Sequence, residues 1–393
     1  MYMHKRVMKN RHAVRRVTGI SFFIAVIFCG LVLINHPDGA LAFAHIGTRF
    51  SEGIPKEDGG STGYDGQFVY FIARDGAQAV PYIDGPTFRY QRIFYPVLAR
   101  ALSLGNAELL PWVLIAINII ALSTGTGMLA YLLNQMGVSP YLALIYTVWV
   151  GNLFALRFNL TELLCFALAL WAVIAYQRER YILVILLLTL STLTKELGLI
   201  FAGGLGLHAV VMKRQWRWGF LIGFTPFITL MQWWFILRLW LEGSPTSYPA
   251  ARGFSWIPLG GLWSVLSQPE HLSQETRTVQ FILAMIFLGI PAILLFSVAM
   301  YQVWRKGRQI VQREINNAWT LSLLLASVGF VFIMPGVSWQ DPAAVYRVGA
   351  PLVIAGVLFT GNFYPKRLKW LVMYWLPASL IILMIPGLWS GGA

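Results

Sequence analysis

Apolar positions along this chain fall in long unbroken runs, not in the short alternations of a soluble strand or helix. The first run extends from Val17 to Ile34, and the next begins near Leu109. Further runs follow at about 139–156, 160–176, 181–195, 197–212, 219–241, 277–301, 318–335, 346–363 and 369–388, the second being 109–133. A helix needs about 20 apolar residues to cross a bilayer. The pattern therefore predicts an all-α polytopic membrane protein with about 11 transmembrane helices, in one transmembrane domain over 1–393. Residues 36–108 stand apart as a long polar first loop, expected outside the cytoplasm. No internal repeat and no soluble second domain is visible. The segment 242–276, with Pro245, Pro249, Pro258 and Pro269, reads as irregular and as a candidate lid.

Charge supports this count. The first run follows Lys5, Arg6, Lys9, Arg11, Arg15 and Arg16. With that end in the cytoplasm, Gln177–Arg180, Lys213–Arg217, Arg305–Arg313 and Lys366–Lys369 also fall inside, and each is rich in Lys or Arg. Ala40-Leu41-Ala42 has the form of a signal-peptide cleavage site, but the apolar run before it is longer than most such regions, which favours a retained helix.

Composition narrows the classes. Of 393 residues 57% are hydrophobic and 12% charged, against about 25% charged in a soluble domain. The net charge of +14 lies in membrane flanks, which removes nucleic acid as a partner and makes membrane lipids the surroundings. Two cysteines inside apolar runs and six scattered histidines offer neither a disulfide framework nor a metal-ligand spacing.

Polar residues at membrane depth are costly and so are candidates for chemistry. They gather in five places, all expected on the outer side. In Gly63-Tyr64-Asp65-Gly66, the glycines permit a turn that projects a carboxylate, and 66–75 reads as a short helix ending in Arg74 and Asp75. Asp65 is either that helix's N-cap or a catalytic acid, and one residue can be both. From Pro86 to Leu102, Arg89, Arg92 and Arg100 share one face of a predicted amphipathic helix, opposite Ile93, Phe94, Val97 and Leu98. These arginines either snorkel to headgroups or grip an anionic lipid phosphate bidentately. Arg157 to Glu162 and Lys195-Glu196 join short apolar runs at charged tips, which either close a helix end by an ion pair or line a cavity. Asp341 and Arg347 open a later run; Arg347 is an interfacial anchor or a second phosphate contact.

Taken together, Tyr64-Asp65-Gly66-Gln67-Phe68, Ile72-Ala73-Arg74-Asp75, Arg89-Tyr90-Gln91-Arg92-Ile93, Tyr95-Pro96 and Leu193-Thr194-Lys195-Glu196 resemble a bacterial GT-C-type glycosyltransferase of the group linked to cell-surface glycopolymers. The resemblance covers residues 1–241, with 242–393 a variable set of C-terminal helices. It implies two amphipathic helices in the first loop and a bacterial inner-membrane location. It also implies inverting transfer of a sugar from a polyprenyl-phosphate-linked donor to a lipid or glycan acceptor on the extracytoplasmic face. Asp65 would be the general base. Arg89, Arg92, Lys195 and Arg347 would hold the lipid phosphate, with Glu162, Glu196 and Asp341 positioning the sugar or those cations, and Tyr64, Arg74 and Arg157 adding substrate contacts. The family's loop motif often carries two acids; here Asp65 is single, with Glu57 and Asp58 nearby. That argues against a metal-dependent reaction and leaves a divalent cation open.

Two other classes compete: a transporter or flippase of a lipid-linked saccharide, and a scaffold in polymer assembly. The topology itself is testable. A reporter fused after Gly76 is expected to read as external, and a cytoplasmic signal there overturns the scheme.

Overall fold

The computed structural model describes residues 11–248, 253–267, 273–313 and 318–384. These residues form helices and connecting turns, with no strand among them. Five helices are long and apolar enough to cross a membrane: Arg11–Asn35, Leu110–Gln135, Trp216–Leu241, Gln274–Arg305 and Pro342–Phe363. Shorter apolar helices lie at Glu162–Gln177, Tyr181–Thr194, Gly198–Val211, Trp319–Ile333 and Leu368–Leu383. The protein is thus an all-helical chain with the lengths and composition of a membrane protein.

The helices that position the site are labelled in chain order. They are α1 (Arg11–Asn35), α2 (Gly66–Asp75), α3 (Pro86–Tyr90), α4 (Phe94–Leu102), α5 (Leu110–Gln135), α6 (Leu144–Val148), α7 (Val150–Arg157), α8 (Glu162–Gln177), α9 (Tyr181–Thr194), α10 (Gly198–Val211), α11 (Trp216–Leu241), α12 (Trp319–Ile333), α13 (Pro342–Val348) and α14 (Ala350–Phe363). α1 and α8 pack on α5, α9 on α8, α10 on α11 and α12, and α13 on α7. The span α13–α14 is central, 89% of its apolar window being buried, whereas only 22% of the α11 window is. Along α11, Phe220, Phe224, Phe235 and Leu239 are exposed. Apolar side chains left bare over a whole helix face suit contact with lipid rather than water.

Two sequence expectations change here. The run 139–156 is not one helix: it breaks at Trp149, whose backbone is extended (φ −58, ψ 126). Its indole Nε1–H donates to the Tyr346 carbonyl at 2.8 Å, so a tertiary bond replaces helix continuity. The amphipathic helix expected from Pro86 to Leu102 is two helices, α3 and α4, separated by Gln91–Ile93. Arg89, Arg92 and Arg100 therefore do not share one face. Arg100 instead donates to the Ala73 carbonyl at 3.0 Å and to that of Arg74, closing the C-terminal end of α2.

Close backbone contacts bolt the first loop to the bundle and α7 to α13. A Cβ on Gly66 would strike the Phe158 carbonyl oxygen, and one on Gly151 would strike that of Tyr346. Trp233 Nε1 on α11 donates to the Tyr90 carbonyl at 2.9 Å, holding α3. Substituting Gly151→Ala is expected to destabilise the fold by about 1–3 kcal/mol, read as a lowered Tm in detergent, because Tyr346 carries the next residue, Arg347, into the site.

Candidate functional site

Four cations and five carboxylates converge where the first loop meets the tips of α8, α9 and α13. Arg89 Nη1 donates to Asp65 Oδ1 at 2.8 Å, and its other edge grips Asp84 through Nε (2.8 Å) and Nη2 (2.9 Å). Arg92 grips Glu196 at 2.7 and 3.1 Å. Lys195 Nζ and Arg347 Nη1 both reach Glu162 Oε1, at 2.6 and 2.9 Å. Arg347 Nη2 donates to the Tyr64 hydroxyl at 2.9 Å and lies 3.7 Å from Asp65 Oδ2 and 3.9 Å from Asp341 Oδ2. Tyr64 passes the chain on by donating to Asp341 Oδ2 at 3.1 Å.

Local sequence explains several of these placements. Asp341 precedes Pro342 and caps α13: its Oδ1 accepts from the backbone N–H of Ala343 (2.8 Å) and Ala344 (3.0 Å), and proline suits the first turn because it lacks the N–H. That cap aims α13 so that Arg347 points back into the protein. Asp65 also stands at a helix start, yet its side chain makes no cap bond and turns to Arg89. The capping alternative therefore does not hold for Asp65. Asn159 takes a left-handed conformation (φ 49) in the turn joining α7 to α8, which lets Glu162 open α8 facing the cluster.

Of the residues expected at the site, Tyr64, Asp65, Arg89, Arg92, Glu162, Lys195, Glu196, Asp341 and Arg347 come together. Arg74 and Arg157 do not. Arg74 lies at the far end of α2, roughly 13 Å along the axis from Asp65, and pairs bidentately with Asp75. Arg157 is fully buried and donates to the Ala42 carbonyl at 2.7 Å, with His36 Nε2 at 3.0 Å, so it anchors the start of the first loop. Lys195 and Glu196 do not close their tip by pairing with each other; they face Glu162 and Arg92.

Asp84 and Tyr248 are new members. Tyr248 donates to Asp84 Oδ2 at 2.6 Å and stacks on Phe88, and a Cβ on Gly85 would collide with its ring. Asp84-Gly85-Pro86, an acid ahead of a helix-starting proline, was the available signal for Asp84. Tyr248 sits in the proline-rich segment expected to act as a lid; residues 249–252 and 268–272 of that segment lie outside the described residues.

Asp65 and Arg89 stand in the wall between two cavities. One, of about 490 Å³, is bounded by Arg49, Thr62, Gln67, Asp84 and Tyr248 and is mainly polar. The other, of about 340 Å³, is also lined by Arg92, Lys195, Glu196, Asp341 and Arg347. Its remaining walls include Phe88, Trp234, Phe254 and Phe330. The Trp234 indole N–H in that wall has no partner among the described residues. No group of three or more metal-ligating side chains occurs among them either. Compared with family models, curated proteins and solved structures, the chain matches none.

Burial by itself raises the Asp65 carboxyl; Arg89, then Arg347, Arg92 and Lys195, outweigh it and hold the group well below the usual carboxylate range. Asp65 is therefore an anion at any pH above about 4. A carboxyl depressed in the folded state contributes stability that is present above its unfolded value and lost as pH falls through the folded one. Melting the wild type and Asp65→Asn between about pH 7 and about pH 3 is expected to give a Tm difference that shifts toward the variant below about pH 4.

Proposed function

We propose that this protein is a membrane glycosyltransferase of the GT-C type. It transfers a sugar from a polyprenyl-phosphate-linked donor to a hydroxyl of a lipid or glycan acceptor. The observation that carries the reading is the position of Asp65, an ionised carboxylate in the wall common to a polar cavity and a cavity lined by paired cations and by aromatic side chains. Such a pair of cavities suits an acceptor on one side and an amphiphilic donor on the other. In this reading the chain crosses a bacterial inner membrane about eleven times with its N-terminus in the cytoplasm, and the site faces outward.

The chemistry follows from the two oxygens of Asp65. Oδ1 is held by Arg89, while Oδ2 accepts no hydrogen bond from any described residue and has Arg347 3.7 Å away. Oδ2 takes the proton from the acceptor hydroxyl as that oxygen bonds to the anomeric carbon. The bond from that carbon to the phosphate oxygen breaks on the opposite face, its electron pair leaves with the phosphate, and configuration inverts. Because Asp65 is a weak base, proton transfer accompanies C–O cleavage rather than preceding it.

Arg92, Lys195, Arg347 and the Trp234 N–H are the donors available to the departing phosphate. Every one of the cations already holds a carboxylate, so the phosphate has to compete. Arg92 is the readiest to move, since its partner Glu196 is 35% exposed whereas Glu162 is 1% exposed. The Arg92–Glu196 pair thus opens when donor arrives.

Asp65→Asn is expected to lower the transfer rate by about 10²–10⁴-fold while leaving polyprenyl-phosphate binding intact, measured by sugar transfer in detergent and by direct titration of the carrier. Full activity in the variant removes Asp65 from the role. Movement of the intact lipid-linked sugar across proteoliposomes, without covalent change, replaces the reading with a flippase.

A further inference from the structure

Glu162 is more than an anchor for two cations. Its Oε1 receives both Lys195 and Arg347, whereas Oε2 is buried and accepts from no described residue. The side chain is 1% exposed. A buried carboxylate oxygen without a donor is rare in folded proteins and calls for a ligand or an ordered molecule to satisfy it. Glu162 lines a chamber of about 20 Å³, the room of roughly one water or one hydroxyl group.

The chamber adjoins the larger donor-side cavity. Asp65, Arg89, Arg92, Lys195 and Arg347 border both, and Phe68, Val69, Ile72 and Leu160 close the chamber on its other sides. The charge pattern selects the occupant. A phosphate oxygen is repelled by the Glu162 carboxylate, and a cation is repelled by Lys195 and Arg347. A neutral O–H donor satisfies Oε2 without either penalty. Arg347 contacts Glu162 at 2.9 Å and stands 3.7 Å from Asp65, and both carboxylates line the chamber, so a group bound at Oε2 shares that space with Asp65.

We infer that Glu162 Oε2 accepts a hydrogen bond from a hydroxyl of the transferred sugar and makes that hydroxyl a requirement for donor binding. The inference rests on the glycosyltransferase reading and assigns a specificity-determining residue within it. Glu162→Gln tests it, because the amide oxygen can still face Lys195 and Arg347 while the NH₂ turns a second donor toward the sugar hydroxyl.

The probes are undecaprenyl phosphate and its mannosyl, glucosyl, galactosyl and arabinosyl forms, titrated against the full-length protein in nanodiscs. The wild type is expected to bind at least one glycosylated carrier about tenfold more tightly than bare undecaprenyl phosphate, the worth of one charge-assisted hydrogen bond. Glu162→Gln is expected to shrink that preference to about twofold or less, read as the ratio of the two affinities within each protein, because removing the negative charge beside Lys195 and Arg347 shifts binding of the bare and the glycosylated carrier together. An intact preference in the variant, or no preference in the wild type, overturns the inference. If the variant loses the bare carrier as well, monodeoxy forms of the preferred sugar decide it on the wild type alone. One deoxy position should then cost about tenfold, and a series with no such position overturns the assignment. The glycosyltransferase reading fails separately, through absence of transfer from every glycosylated carrier.

Discussion

A guanidinium 3% exposed in the interior of a helical bundle is tolerable only if its donors are met, and Arg347 is the residue on which the site turns. It reaches Glu162 on α8, Tyr64 and Asp65 in the first loop, and Asp341 on its own helix. Removing any one partner leaves charge behind in a place where an unpaired ion costs several kcal/mol. The network therefore ties the first loop to the C-terminal helices in one arrangement, because a shift of either side unpairs a buried charge. The Asp341 cap and the Trp149 bond to the Tyr346 carbonyl serve the same end by setting where α13 begins and how it lies.

Five carboxylates around four cations is an unusual balance for a place proposed to receive an anion. It makes sense if the carboxylates keep buried arginines and lysine in place until the phosphate arrives. Glu196 and Asp341, at 35% and 39% exposed, can return to water when displaced, whereas Glu162 cannot. The same asymmetry separates roles: Glu162 stays, and Glu196 exchanges.

Much of this architecture was legible in the sequence. Apolar runs gave the helices, because in a nonpolar setting continuous hydrophobicity rather than periodicity marks the element. Asp65 stood out through its glycine-flanked turn, and 66–75 was readable as a helix because a breaker bounds each end. The failures have physical reasons. Trp149 gave no local sign of a break, since the bond that replaces the helix is to Tyr346, nearly two hundred residues away. Arg89, Arg92 and Arg100 obey helical spacing on paper, but Asp84, Glu196 and the end of α2 draw them in different directions. Arg157 looked like a substrate contact because its type fits, and only its burial against Ala42 and His36 reveals an anchor.

The span of the Arg347 network also bears on how the protein is made. Asp65, Glu162 and Lys195 leave the ribosome long before Arg347, so in a nascent chain Asp65 and Glu162 each lack one of their two cations. Insertion of α13 supplies the guanidinium that the two share. The binding chamber thus waits for α13, and a product ending before that helix keeps the Arg89–Asp65 pair but lacks the guanidinium that ties Asp65 to Glu162.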